Sequence, residues 1–320
     1  MKKIGITLLA ACLIAGMAAQ AVGADSKPYE LKGRITFSGA WALYPMAVRW
    51  AEEFQKIHPD VKMDIGAGGA GKGMADCLAG VVDIGMVSRQ IYPEEVKKGA
   101  WWVSVTKDAV VPTVNDANPV LKDLLARGVT REACIGIWTT GEIKTWGDLT
   151  GRPLSSPIQV YTRSDACGAA GTWAQYMDRG QEDLLGIGVY GDPGLAQAVR
   201  QDQLGIGYNN INYAYDAKTK AQIQGIRVLP IDTDGNGKID EEEDFYLTRD
   251  GIVKAIATGK YPSPPARDLH FVCKGNPENE VVREFIRWVL TDGQKYVHES
   301  GYINLTEEKL LEEIKHLQGE

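Results

Sequence analysis

From residue 34 onward, short β-rich runs alternate with stretches whose apolar positions fall at helical spacing, and several of the joints are rich in glycine. That alternation is the strongest constraint on the fold. Strand–helix–strand order leads to an α/β protein. Arg34-Ile35-Thr36-Phe37 reads as a strand. Residues 44–57 follow as a helix, with Met46, Val48, Trp50, Ala51 and Phe54 on one face and Pro45 near the start, where a missing N–H costs little. Strands are expected at 61–65, 82–87, 103–114, 158–161 and 269–272, and helices around 74–78, 170–176 and 280–290. A loop at 115–119 is the expected first crossing between two domains, and 226–231 the expected return.

The N-terminus has the form of a secretory signal. Lys2 and Lys3 precede an apolar run over residues 4–22, and Val22-Gly23-Ala24 is a small-x-small cleavage site. A membrane anchor is the alternative reading. A lipid anchor at Cys12 is disfavoured, because the apolar stretch continues past it. Cleavage removes only two charges, so the formal net charge falls from −7 to −9. The remaining length suits two domains. The acidic balance argues against nucleic acid, which needs a basic face. Cys77, Cys134, Cys167 and Cys273 lack zinc-site spacing, so they read as disulfide partners or as small buried hydrophobes. His58, His270, His298 and His316 are scattered and form no metallohydrolase pattern.

Residues 66–73 (Gly-Ala-Gly-Gly-Ala-Gly-Lys-Gly) join a strand to a helix. They satisfy both the dinucleotide pattern GxGxxG and most of a P-loop. The P-loop lacks the hydroxyl after Lys72 that would hold magnesium, since Gly73 has no side chain. The underlying physics still applies: glycines let a ligand approach the backbone, and a helix start offers unpaired N–H groups to an anion.

Similar turns recur along the chain, and their order is distinctive. Residues 35–45, 68–74, 80–89, 112–119, 138–149, 161–176, 259–262 and 269–305 resemble, in sequence order, successive segments of the phosphate-type (PstS-like) solute-binding proteins of ABC importers. The quoted counterparts include "VPIVNxANPV" for 112–119, "IFTGKITNWxDL" for 138–149, "R-x-x-G-S-G-T" at the start of 161–176 and "SGKYP" for 259–262. The likeness runs from about Leu31 to Leu305.

The resemblance implies a type II periplasmic-binding fold: two α/β domains joined by a two-segment hinge, with the ligand cleft between them. The expected boundaries are a signal peptide at 1–24, domain I at 25–112 and 245–320, domain II at 113–230, and an inserted loop at 231–244. It also implies a monomeric periplasmic or extracellular receptor that closes on a small anionic ligand, signals to an ABC permease in the inner membrane, and catalyses nothing. Carried over residue by residue, the cleft would be formed by Ala40, Trp41, Ala42, Ala70, Gly71, Ser88, Arg89, Arg163, Cys167, Gly168 and Ala169.

These positions depart from the family's pattern in one direction. The serines and threonines expected in three ligand turns are replaced by Ala40-Trp41-Ala42, by Ala70 and by Cys167-Gly168-Ala169. Each lost neutral hydrogen bond is worth about 1 kcal/mol, and a dry phosphate site needs many donors. Two readings follow. Backbone N–H groups and Arg163 still hold an oxyanion, or the cleft is refitted for an organic anion stacking on Trp41. The structural alternatives are that Trp41 plugs the cleft or packs at a domain edge, and that Arg163 is in a surface ion pair with Asp165.

Residues 232–243 fit the 12-residue EF-hand calcium loop at every key position. Asp232, Asp234, Asn236 and Asp240 stand at positions 1, 3, 5 and 9, and Lys238 supplies a carbonyl at 7. Gly237 makes the turn at 6, Ile239 is the apolar residue at 8, and Glu243 is the bidentate ligand at 12. The preceding 225–230 reads as extended, and only one loop is present. Sensor loops act on helix pairs that open a groove, so the expectation is a structural Ca2+ clip. The competing functional classes are a calcium-stabilised extracellular sensor or scaffold, which would bind no small molecule, and a secreted phosphatase-like hydrolase. No nucleophile–base pair or GxSxG elbow supports the hydrolase, although Cys167 stands near a helix start.

Overall fold

The computed structural model describes residues 31–320; the expected signal peptide at 1–24 lies outside them. The first half-sheet begins with β1 (Gly33–Gly39), α1 (Tyr44–Ile57), β2 (Val61–Ala67), α2 (Ala70–Leu78), β3 (Ile84–Val87) and α3 (Pro93–Lys97). Helix α1 forms over the expected residues, with its proline at the first positions and Met46, Ala47, Trp50, Ala51 and Phe54 buried. The long β4 (Ala100–Asn115) leads into α4 (Leu121–Arg127), α5 (Arg131–Trp138), α6 (Trp146–Thr150), β5 (Gln159–Arg163) and α7 (Gly168–Tyr176). Next come β6 (Ile187–Val189), α8 (Gly191–Gln201), β7 (Gly205–Asn210), α9 (Ile211–Ala214), β8 (Ile226–Val228) and α10 (Arg249–Ala257). The chain ends in β9 (Ala266–Lys274), α11 (Glu280–Leu290) and α12 (Glu307–Gln318).

The strands form one mixed sheet in the order β2-β1-β3-β9-β4-β7-β5-β6, with β8 also on β4. Two separate apolar cores lie on it. The first gathers Phe37, Trp50, Phe54, Phe271, Phe285 and Trp288, with Phe37 and Phe285 edge to face at 5.5 Å. The second gathers Trp138, Trp146, Trp173, Tyr208, Tyr246 and Tyr261. The cores therefore define two α/β lobes, and β4 and β9 run antiparallel through both of them.

The changeover falls inside these two strands. On β4, Val105 belongs to the first core and Ala109 to the second; on β9, Leu269 belongs to the first and Ala266 to the second. The β4–β9 register shifts between Ser104 and Thr106, so a bulge sits at the joint. The sequence reading put the crossings elsewhere, in the loop at 115–119 and at 226–231, with 245–320 assigned to the first domain. In fact β8 pairs with β4 in the second lobe, and Tyr246, Ile252, Val253, Ile256 and Tyr261 pack in the second core. A strand long enough to serve two cores reads as one apolar run, so the boundary inside it leaves no turn signal.

Cys77, Cys134, Cys167 and Cys273 are all buried and free, so of the two readings the structure has the small buried hydrophobes. Among the described residues, no helix is long and apolar enough to cross a membrane.

Candidate functional site at the lobe interface

Of the expected cleft residues, the structure brings Gly71 of the first lobe to Ala166 of the second and Ser88 to Gly168, and it sets Arg89 and Cys167 around one cavity, whereas Ala40 and Ala42 pack in the first core. Helix α2 begins at Ala70 after Gly69, whose φ of +93° is a conformation that side chains other than glycine rarely adopt. Helix α7 begins at Gly168, capped by the Cys167 thiol, which accepts from the Ala170 N–H at 3.4 Å. The two helix starts meet across the interface. The Gly71 N–H donates to the Ala166 carbonyl at 3.0 Å. A Cβ on Gly168 would lie 2.2 Å from both the carbonyl oxygen and the hydroxyl of Ser88, so only glycine allows this approach. Among the described residues, the N–H groups of Ala70, Gly168 and Ala169 have no protein acceptor. They are the unpaired donors that a helix start always leaves, and they favour an anion.

The side chains are less available than the sequence reading expects. Ala40 and Ala42 are buried, and the Ala42 carbonyl accepts from the Tyr302 hydroxyl at 2.7 Å. Trp41 meets Tyr190 edge to face at 6.3 Å and lies against Gly191, both in the second lobe. Tyr213 of that lobe donates to the Trp41 carbonyl at 3.1 Å. Trp41 thus packs between lobes, as the plug alternative has it, although its Nε1 is buried without a partner. Arg89 forks onto Glu95 at 2.7 and 3.0 Å and covers the Tyr92 ring. The Cys167 thiol is pushed up to about 12 by burial, so it is not a nucleophile near neutral pH.

Arg163 is fully buried and held by two carboxylates. Its Nε and Nη2 donate to Asp165 at 2.7 and 2.6 Å, and its Nη1 donates to Asp192 at 2.6 Å. Asp192 also accepts from the Asn210 amide at 2.7 Å, and Asn210 accepts from Arg267. Arg267 in turn pairs with Asp108 at 2.9 Å and donates to Thr172 at 3.0 Å. Three carboxylates therefore face two guanidinium groups in one buried chain of contacts, which reaches from the interface to the β4–β9 joint. Burial outweighs Arg267 and raises the Asp108 carboxyl to about 6.

Asp192, Asn210, Arg267 and Asp108 were not among the sequence candidates. Asp192 stands in the first turn of an amphipathic helix, where an acidic residue reads as a helix-start signal. Asp108 and Arg267 are opposite charges at paired positions of two strands, a signal that appears only once the register is known.

The candidate metal loop is built as a compact turn. The Asp232, Asp234 and Glu243 carboxylate oxygens lie within 4.8 Å of one another, and Asp232 and Glu243 are buried. Oxygens around one calcium at about 2.3–2.6 Å sit at about that mutual spacing, so this donor set fits the ion. Gly235 and Gly237 have positive φ, and their N–H groups donate to Asp232 at 2.8 and 2.9 Å. Asn236 donates to Asp234 and Asp240, while Asp240 pairs with the Lys238 ammonium at 2.5 Å. The Ile239 N–H donates to the Ala126 carbonyl, and Asp232 N–H to the Val129 carbonyl, fastening the loop to the second lobe. The approach from β8 is extended, as expected.

The comparisons with known proteins decide the family. The sequence profile of the PBP superfamily domain matches residues 20–293. The chain belongs to that superfamily. The phosphate-binding protein PstS of Staphylococcus haemolyticus is 26% identical, aligned over 99% of this chain and 98% of its own length. PstS of Bacillus subtilis is also 26% identical, over 95% of this chain and 91% of its own. A substrate-binding protein from Clostridium perfringens, solved with bound phosphate, superposes with a TM-score of 0.68 at 22% identity, covering 86% of this chain and all of its own. An ABC-type phosphate transport receptor from Vibrio cholerae gives 0.61 at 21% identity, covering 85% and 100%. The superfamily's α/β fold is thus shared, and these relatives are named as phosphate-binding, substrate-binding or transport-receptor proteins.

Proposed function

We propose that the chain is an exported solute receptor of a phosphate-type ABC importer. It acts as a monomer, closes on a small anion between its lobes, and delivers it to a membrane permease. The observation that carries this reading is the meeting of the α2 and α7 starts, with the unpaired N–H groups of Ala70, Gly168 and Ala169 at the interface. The β4–β9 ribbon, which connects the two cores, supplies the hinge. Native mass spectrometry of the protein purified gently from secreting cells should show a bound small solute that is lost on unfolding. A bare protein that also shows no tryptophan fluorescence change across a library of anions would sink the reading.

Closure can be tested through one glycine. Gly168→Ala would drive a Cβ into Ser88, so the lobes could not meet as they do here. Solute affinity should fall about tenfold or more, roughly 1.4 kcal/mol, and small-angle scattering should show a more open molecule. Unchanged affinity and shape would mean that the two helix starts do not meet in the working state.

A second reading, an organic anion, is favoured by the space beside α7. A cavity of about 440 Å³ there is lined from both lobes by Gly71, Arg89, Tyr92, Cys167, Gln175 and Arg179. It offers amides and a guanidinium to a ligand larger than phosphate. A hydrolase is disfavoured, because the buried Cys167 thiol cannot ionise usefully at neutral pH. The loop at 232–243 is proposed as a structural calcium site, held by Asp232, Asp234, Asn236, Asp240, Glu243 and the Lys238 carbonyl. The bound ion would supply only charge neutralisation and cross-bracing. A purely scaffolding role predicts no solute in the native mass spectrum.

A further inference from the structure

We propose that Asp192 sets the charge that the cleft accepts: its carboxylate occupies Arg163 as a built-in anion and keeps phosphate dianion off that arginine. The inference rests on the receptor reading. Arg163 is the only guanidinium among the expected cleft residues with no exposed side-chain surface, and its described partners are both carboxylates. The fork with Asp165 already matches one edge of its plane. Asp192 takes Nη1 at 2.6 Å, where an incoming oxyanion would otherwise find a charged donor.

Asp192 is fixed there by its helix and by Asn210, and the turn before it is tied to Asp165. It lies in the first turn of α8, an 11-residue helix whose dipole favours a carboxylate at that end. Asn210 donates to its other oxygen at 2.7 Å. Gly191, with φ of +73°, turns the chain so that its own N–H meets Asp165 at 3.1 Å. Asp192 is 1% exposed, so its charge is little screened by water. The neighbouring Arg267 cannot neutralise an incoming dianion, because it is already committed to Asp108, Asn210 and Thr172. The cleft therefore suits a monoanion or a neutral polar solute held by the helix-start N–H groups.

The test is isothermal titration with inorganic phosphate at pH 8, where the dianion predominates, on the wild-type protein and on Asp192→Asn. The amide keeps the shape and removes the charge. A hydrogen bond to a charged group is stronger than one between neutral groups, so freeing Arg163 should raise phosphate affinity about 10- to 100-fold. Asp192→Ser is the second variant, leaving room as well as a free donor. A loosened fold would weaken binding, so a gain in affinity is not the signature of a merely structural role. Tight phosphate binding by the wild type, undiminished relative to either variant, would overturn the inference while strengthening the receptor reading. No gain in either folded variant would also overturn it. Failure of the receptor reading shows separately, as the absence of any solute from the native mass spectrum.

Discussion

Arg267→Ala should destabilise the protein by about 3–5 kcal/mol, the cost of breaking a buried ion pair from one side. Arg267 pairs with Asp108 across β4 and β9 and also serves Thr172 and Asn210. Removing it strands a carboxylate that is 1% exposed. The loss falls at the joint through which the two cores are connected, so urea unfolding should show a lower midpoint. The double variant Asp108→Leu, Arg267→Met should recover much of the loss, because a buried pair replaced by apolar groups of similar size is often close to neutral. A single variant as stable as the wild type would mean that water already reaches this pair.

The same group gives a sign for pH. The folded Asp108 carboxyl titrates near 6, above its ordinary value of 3.8. Between those two points the folded state binds the extra proton, so its contribution to stability falls as pH rises through 6 and is regained on acidification. Arg267 opposes the rise and Asp192 adds to it. Comparing the wild type with Asp108→Asn isolates this contribution: the difference in stability between the two should change over pH 4–6 and stay level above 7. A difference that is flat across that window would contradict the raised carboxyl.

How much of this was legible beforehand differs by residue. The α1 face, the two glycine-rich starts and the α11 face follow from local spacing, and local spacing is what a sequence displays directly. The convergence of Ala70, Gly71, Ser88 and Gly168 was legible only through family resemblance, since residues about a hundred positions apart share no local pattern. The Arg163–Asp165 pair is legible from two nearby opposite charges, but it is buried rather than at the surface. What escaped was Asp192 as the arginine's second partner, because a helix-start acid looks the same whether it faces water or a buried arginine. The pair at the β4–β9 joint escaped for a related reason: Asp108 and Arg267 are ordinary charges until the register sets them side by side. Trp41 shows the limit of side-chain chemistry alone, since an aromatic ring suits a ligand platform and a lobe contact equally well.

Calcium should stabilise the second lobe, and the loop's own chemistry indicates which substitutions will show it. A ligand present at a hundred times its Kd and bound only by the folded state adds about 2.7 kcal/mol. For a lobe of this size that corresponds to a rise in Tm on the order of 5–10 °C. Chelator should reverse the rise. Glu243→Gln should abolish it, because the bidentate carboxylate is lost, while the amide keeps an oxygen for the Thr233 N–H that Glu243 now accepts from at 2.7 Å. Lys238→Ala should leave the response intact, since position 7 contributes only its carbonyl and the exposed ammonium hydrogen-bonds to Asp240 outside the backbone ligand. The pattern separates a calcium site from a merely acidic turn. If the loop were only a solvated turn, neutralising Glu243 would relieve repulsion from Asp232 and Asp234 and raise Tm with or without calcium. The metal reading demands the opposite: a variant indifferent to calcium and less stable than the calcium-loaded wild type. Because Ile239 and Asp232 fasten the loop to the Ala126 and Val129 carbonyls at the end of α4, the ion's effect should reach that helix. Amide exchange over residues 121–130 should slow on calcium addition in the wild type and in Lys238→Ala, and stay unchanged in Glu243→Gln.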